Sequence, residues 1–292
     1  MKPVIKSSLL ALAGAGLLAL PASAAVSLEN GSLAVAFYQV LDGNVVGNNT
    51  LVVDLGQASA FRENTGYNVS VSTVNGMTSS NIGDQLTGAF GANWANSGTV
   101  RWMVVGNVAQ GTGPISGDPG RTSYFSSGVG DFNVGSTFPT LSSANRIQAS
   151  NAITGFFNGT QNETATVGNA DVTQIAISDM FSVDEYVSPT TAGTYFQVGQ
   201  DITQTLGAGT IANGPNGLVF EGALDIYRVL HTTTGADLTA GYSGADALAG
   251  SPQYIGTLTL DSSGNLSVIP EPSAALLGLL GVLSFFHRRR SA

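Results

Sequence analysis

The chain has 292 residues, a formal charge of −9 and no cysteine, which excludes disulfides, thiolate metal sites and a cysteine nucleophile. Only 10 % of residues are charged while 43 % are apolar, so the composition is that of a folded chain and not of a disordered one. Glycine alone accounts for 38 residues, and with the many Ser, Thr and Asn it favours strands joined by turns over long helices.

At the N-terminus, Lys2 and Lys6 precede a small-and-apolar run over residues 9–20, followed by Pro21, Ala22, Ser23 and Ala24. A charged start, an apolar stretch of about 7–15 residues and an A-x-A site are the three parts of a secretory signal peptide. Signal peptidase is expected to cut after Ala24, with Ala22 and Ala24 as its small recognition residues. A retained anchor needs about 20 apolar residues, more than this run supplies. Residues 1–24 are therefore expected to be a leader, 25–267 an exported β-rich body and 268–292 a tail.

Both lysines fall in the leader, and Arg288, Arg289 and Arg290 fall in the tail. Between Ala25 and Pro272 there remain five arginines (Arg62, Arg101, Arg121, Arg146 and Arg228) and all nineteen acidic residues, a formal −14. Such a surface repels phosphate backbones and anionic head groups, which are bound through clustered Lys and Arg. Nucleic acid is not an expected partner. Without body lysines, a Walker A loop, a Schiff base and an S-x-x-K acyl enzyme are also excluded.

Apolar runs rich in β-branched and aromatic residues, each bounded by turn residues, predict strands at 33–40, 51–55, 67–74, 100–108, 172–177, 218–230 and 254–260. In the segment 67–72, Tyr-Asn-Val-Ser-Val-Ser, the alternation is strict, as for a half-buried strand. Asp261, Ser262, Ser263, Gly264 and Asn265 predict a hairpin loop between 255–260 and 266–269.

Two stretches carry helical spacing instead. Ile82, Leu86, Ala89, Phe90 and Trp94 form one stripe, with Ser79, Ser80 or Asn81 as the cap. Ala149, Ile153, Phe156 and Phe157 form another, beginning near Ser143 and stopping at Asn158 and Gly159. Between them, residues 111–135 read as surface loops around a short strand at 122–125. No repeat of 20–50 residues is evident, which disfavours a solenoid or propeller. The expected fold is mainly β: an antiparallel β-sandwich-like body with one or two short helices, an N-terminal signal peptide and a C-terminal transmembrane sorting helix. A β-helix is the second choice.

Candidate chemistry is sparse. Residues 207–212 match a G-x-G-x-x-A fingerprint, but Asn213, Gly214 and Pro215 follow where a phosphate-binding helix must start. His231 is the body's one histidine, and no G-x-S-x-G elbow supplies it with a serine. Asp171, Asp179, Asp184, Glu185, Asp201, Glu221 and Asp225 are the carboxylates from which a glycosidase pair could be drawn. Trp94, Trp102 and the tyrosines could stack on sugar rings if exposed. No calcium-loop spacing occurs, and no catalytic, cofactor-binding or metal residue is assigned.

The tail carries the most specific signal. Pro270, Glu271 and Pro272 are followed by an apolar run over 274–286 and then by His287, Arg288, Arg289 and Arg290. The two prolines hold Glu271 in an extended segment, the apolar run is short for a stable span, and three arginines stop translocation. This order resembles the PEP-CTERM sorting domain of Gram-negative bacteria, with Pro270, Glu271 and Pro272 as its signature triplet. The resemblance implies recognition by an exosortase, a membrane transpeptidase, after passage through the inner membrane. It further implies display at the cell surface or in the extracellular matrix, in association with extracellular polysaccharide. It covers about 25 residues and says nothing of the body's activity. The expected function is that of a noncatalytic exported surface or matrix protein. The alternatives are a carbohydrate-binding module or an acidic-pair polysaccharide hydrolase displayed by the same tail.

Overall fold

The computed structural model describes residues 28–41, 45–63, 69–75, 77, 79–111, 115, 117–127, 138–162, 165–168, 172–176, 202–207, 220–231 and 249–270. The expected leader and everything beyond Pro270 lie outside them. Along the chain come β1 (Ser32–Leu41), β2 (Val45–Gln57), α1 (Ala58–Glu63), β3 (Val69–Ser70), α2 (Val71–Asn75), α3 (Gly83–Phe90), a 3-10 turn (Trp94–Asn96) and β4 (Val100–Asn107). There follow β5 (Ser123–Ser126), α4 (Ser143–Asn162), β6 (Ala165–Gly168), β7 (Val172–Ala176), β8 (Gln204–Thr205), β9 (Gly222–Val229), β10 (Pro252–Leu260) and β11 (Leu266–Pro270).

These strands form one antiparallel sheet of eleven strands in the order β3, β11, β10, β9, β5, β4, β1, β2, β7, β6, with β8 beside β4. The mainly β, antiparallel body expected from the sequence is thus present. In place of two separate stacked sheets, the described strands belong to a single curled sheet. Its curl follows from the helices: α1 touches β2, β10 and β11, and α2 touches β2 and β11, although five strands separate β11 from β2 in the sheet order.

Both faces of the central strands are buried, which is why β1 reads as a nearly continuous apolar run. Leu33, Val35 and Phe37 of β1 join Leu51, Val53 and Leu55 of β2, Trp102 and Val104 of β4, and Phe61, Val71 and Leu86 of α1–α3 in one core. Ala34, Ala36 and Tyr38 point the other way, with Met103, Val105, Phe125 and Tyr227, into a second core covered by α4. There Ala149, Ile153, Phe156 and Phe157 meet the sheet as their spacing predicted. Phe138 bridges Phe125 and Tyr227 with ring centroids 5.6 and 5.4 Å away.

Two local expectations are overturned, and a third is met at one residue. The alternating segment 67–74, described from residue 69 on, yields there only the two-residue β3, and the chain then turns into α2. Val71 and Val74 pack on the first core from one side of that helix, an i, i+3 spacing that outweighs the period of two. Helix α4 runs through Asn158 and Gly159 to Asn162, because the following turn is held by Thr160, whose buried hydroxyl donates to the Phe156 carbonyl at 2.9 Å. Helix α3 begins at Gly83 with no side-chain bond from its N-cap residue, Ile82. Of the three expected caps it is Asn81 that contributes, its Oδ1 accepting from the Gly83 N–H at 3.0 Å.

The 261–265 loop forms the hairpin that was expected. Asp261 Oδ1 accepts from the backbone N–H of Ser263 and of Asn265 at 2.9 and 2.8 Å. The hairpin also grips the start of α3. Ile82 N–H donates to the Gly264 carbonyl at 2.9 Å, and a Cβ on Gly264, at φ +86°, would lie 2.4 Å from the Gly83 Cα.

Candidate functional site

The residues singled out from sequence do not gather in one place. Ala22, Ala24, Glu271, Pro272, Arg288, Arg289 and Arg290 lie outside the described residues. Pro270 is the last residue of β11, where it pairs with Gly256 of β10. No described helix is long and apolar enough to cross a membrane.

Both tryptophans are interior. Trp94 is 3 % and Trp102 0 % exposed, so neither offers a face to a sugar ring. Trp102 stacks on Phe37 at 5.7 Å, and its indole N–H donates to Gln204 Oε1 at 3.1 Å. The same oxygen accepts from the Ala223 N–H at 2.9 Å, so one glutamine ties β8 to β9.

Among the expected carboxylates, Asp171, Asp179, Asp184, Glu185 and Asp201 lie outside the described residues. Glu221 precedes β9 by one residue and Asp225 lies within it. Four residues of extended chain separate them by about 13 Å, beyond the roughly 5–10 Å of a glycosidase pair. Asp225 is fully buried on the α4 side of the sheet. Its Oδ1 accepts from the Thr257 hydroxyl at 2.5 Å, and that hydroxyl lies 2.7 Å from the Tyr254 hydroxyl. This relay ties β9 to β10.

The densest charge cluster in the described residues is one that sequence reading did not name. Asp118, in the turn before β5, is 2 % exposed. Its Oδ1 accepts from Arg62 Nη1 of α1 at 2.7 Å and from Arg228 Nη2 of β9 at 2.5 Å. Its Oδ2 accepts from the Tyr124 hydroxyl of β5. Arg228 also donates from Nη1 to Gln253 Oε1 at 3.1 Å and from Nη2 to the Gly117 carbonyl at 3.4 Å.

Strand register explains the convergence. Tyr124 pairs with Arg228, and Arg228 pairs with Gln253, so three neighbouring strands present these side chains on one face. Arg62, in the last turn of α1, meets them from the plug of helices. Burial, followed by the negative charge of Asp118, pushes the Tyr124 phenol well above its ordinary range. The shift favours the neutral phenol, which donates to Asp118.

Chemically this cluster is a clasp. Asp118 accepts on both oxygens from groups that belong to the fold, and Tyr124 is held as a neutral donor. The signal in the sequence was Arg228, with Asp225 one of two charges inside the otherwise apolar strand Gly222–Val229, since a charge buried there demands a partner. His231 stands just beyond the end of β9 with no serine or carboxylate bonded to it among the described residues, and its Nδ1 is buried without a hydrogen-bond partner. No group of three or more His, Cys, Asp or Glu that could hold a metal occurs among the described residues. Compared with known proteins, the chain matches no family model, no curated protein and no solved structure.

Proposed function

We propose that the chain is an exported, noncatalytic surface or matrix protein of a Gram-negative bacterium whose destination is set by its C-terminal tail. The observation that carries this reading is the order of the tail. Pro270, Glu271 and Pro272, the apolar run 274–286 and the arginines Arg288, Arg289 and Arg290 follow one another at the end of the chain, in the pattern of the PEP-CTERM sorting domain. The leader, cut after Ala24 by signal peptidase, delivers the chain to the inner membrane. The tail helix holds it there until an exosortase-like transpeptidase acts, and the body is then released to the surface or matrix, where extracellular polysaccharide is the partner that the resemblance suggests.

Two features of the body support the reading. The triplet begins where the β10–β11 ladder ends, since Pro270 opposite Gly256 is its last pair. A proline closing a strand forfeits a backbone donor, so the peptide bonds beyond it are suited to capture by a cleft that binds extended chain. Two of the three buried carboxylates among the described residues are also committed to the fold, Asp118 in the clasp and Asp225 in the hydroxyl relay.

Replacing Pro270, Glu271 and Pro272 by alanine tests the proposal. The variant is expected to stay in the inner membrane at its unprocessed mass, while the wild-type protein loses the tail and leaves. Identical mass and fractionation of the two proteins would rule the sorting role out.

A further inference from the structure

At one end of β5, β9 and β10, three basic side chains converge from separate parts of the chain. Ser123 of β5 pairs with Val229 of β9, and Val229 pairs with Pro252 of β10. Arg121 lies two residues before Ser123 and His231 two residues after Val229, and beside them the Gly250 N–H donates to the Leu230 carbonyl at 2.9 Å. Arg146 enters from the first turn of α4. Its Nη1 donates to the Leu141 carbonyl at 2.6 Å, and the Leu141 N–H donates to the Gly250 carbonyl at 2.8 Å.

Gly250 makes room for this. At φ +83° it would carry a Cβ 2.1 Å from the Leu141 oxygen and 2.4 Å from Arg146 Nη1. Any side chain there would expel the guanidinium. The positive charges of Arg121 and Arg146 both reach the His231 ring.

The cluster is anomalous for this protein. The chain has nineteen acidic residues to ten lysines and arginines, yet neither Arg121 nor Arg146 forms an ion pair with any described residue. Arg121 Nε, Arg146 Nε and His231 Nδ1 are each buried with no hydrogen-bond partner among them. The two guanidiniums are like charges whose Nε donors lack acceptors. A planar guanidinium fork is suited to an oxyanion, which would satisfy both needs at once.

We propose that Arg121, Arg146 and His231 form a binding site for an oxyanion, a sulfate, phosphate or carboxylate group. The guanidiniums supply fixed donors, and the imidazole joins them when protonated. An anion placed there reverses the electrostatic field that Arg121 and Arg146 impose on the ring, so binding and protonation of His231 support each other. Arg121 from the turn before β5 and Arg146 from α4 are the charged groups among the described residues that act on that ring. The site is independent of how the chain is sorted.

The test follows the imidazole Cε1–H resonances of the full-length protein in detergent, titrated separately with sodium sulfate, sodium phosphate and sodium glucuronate at constant ionic strength. The chain has two histidines, so His287 serves as the internal reference and His231→Gln assigns the signals. A saturable shift of the His231 signal is expected, with its pKa rising by about 1 to 3 pH units at saturation. The double variant Arg121→Gln, Arg146→Gln should lose at least tenfold in affinity, while Arg101→Gln should not change it. If the double variant fails to fold, Arg146→Lys, which keeps charge but not the fork, should weaken binding severalfold.

Saturation by sulfate and phosphate alone identifies a free inorganic ion as the ligand. Saturation by glucuronate as well identifies a ligand-borne carboxylate. A His231 signal that responds to none of the three, or responds equally in the double variant, overturns the proposal.

Discussion

On the face of β5 and β9 that looks toward α1–α3, Arg62 and Arg228 close on Asp118. At the ends of the same two strands, Arg121 and His231 are joined by Arg146, and no described carboxylate closes on them. The chain passes from Asp118 to Arg121 within a single turn, where the Thr122 N–H donates to the Pro119 carbonyl at 3.0 Å. One side of that turn is electrostatically complete and the other is open. The difference shows how a fold with few cations divides them. Those matched to an internal carboxylate fix the architecture, and those left without one are free to meet something from outside.

The comparison breaks most visibly at Asp118. Asp118→Asn keeps the shape of the side chain but leaves two buried guanidiniums without their carboxylate. Removing one partner of a buried pair costs about 3–5 kcal/mol, which for a domain of this size lowers Tm by roughly 6–20 °C. Thermal unfolding followed by circular dichroism measures it, and a loss below 1 °C would show that the clasp does not hold β5 and β9 to α1. Tyr124→Phe removes only the hydroxyl that donates to Asp118. A hydrogen bond to a charged group is worth about 1.5–3 kcal/mol, so this variant should fall between Asp118→Asn and wild type in the same assay.

Arg121→Gln sharpens the contrast from the other side. Arg121 makes no ion pair among the described residues, and its positive charge acts on His231. In buffer free of multivalent anions the substitution should change stability by no more than about 0.5 kcal/mol. Denaturant titration of the two proteins measures this, and a loss comparable to that of Asp118→Asn would mean that the two clusters do not differ as described.

Much of the fold was legible because burial leaves a period in the sequence. The run in β1 and the stripe Ala149, Ile153, Phe156 and Phe157 marked buried positions from composition and spacing alone. What misled was short-range pattern against long-range contact. Val69, Ser70, Val71 and Ser72 alternate like a strand, yet the plug inside the curl takes Val71 and Val74 on one side of a helix. Neither cluster could be read, because each depends on strand register. Asp118 meets Arg228 across 110 residues of chain only because β5 lies beside β9, and the Arg146 guanidinium has its place only because Gly250 carries no side chain.

The smallest effect follows from His231 itself. Burial first, and then the positive charges of Arg121 and Arg146, lower its pKa below the ordinary histidine value of 6.5. The unfolded chain therefore takes up a proton at a higher pH than the folded one. Stability is greatest above the unfolded pKa, declines as pH falls from there toward the folded pKa, and levels off below it. Carboxylates contribute their own loss at lower pH, so the measurement is the difference between wild type and His231→Gln from pH 8 to 5. The variant should lose less stability than wild type on acidification across the window that opens near pH 6.5, and sulfate, by neutralising the two guanidiniums, should narrow the gap between them. Parallel curves for the two proteins would show that His231 does not feel Arg121 and Arg146, and would remove the electrostatic argument for an open site at the end of β9.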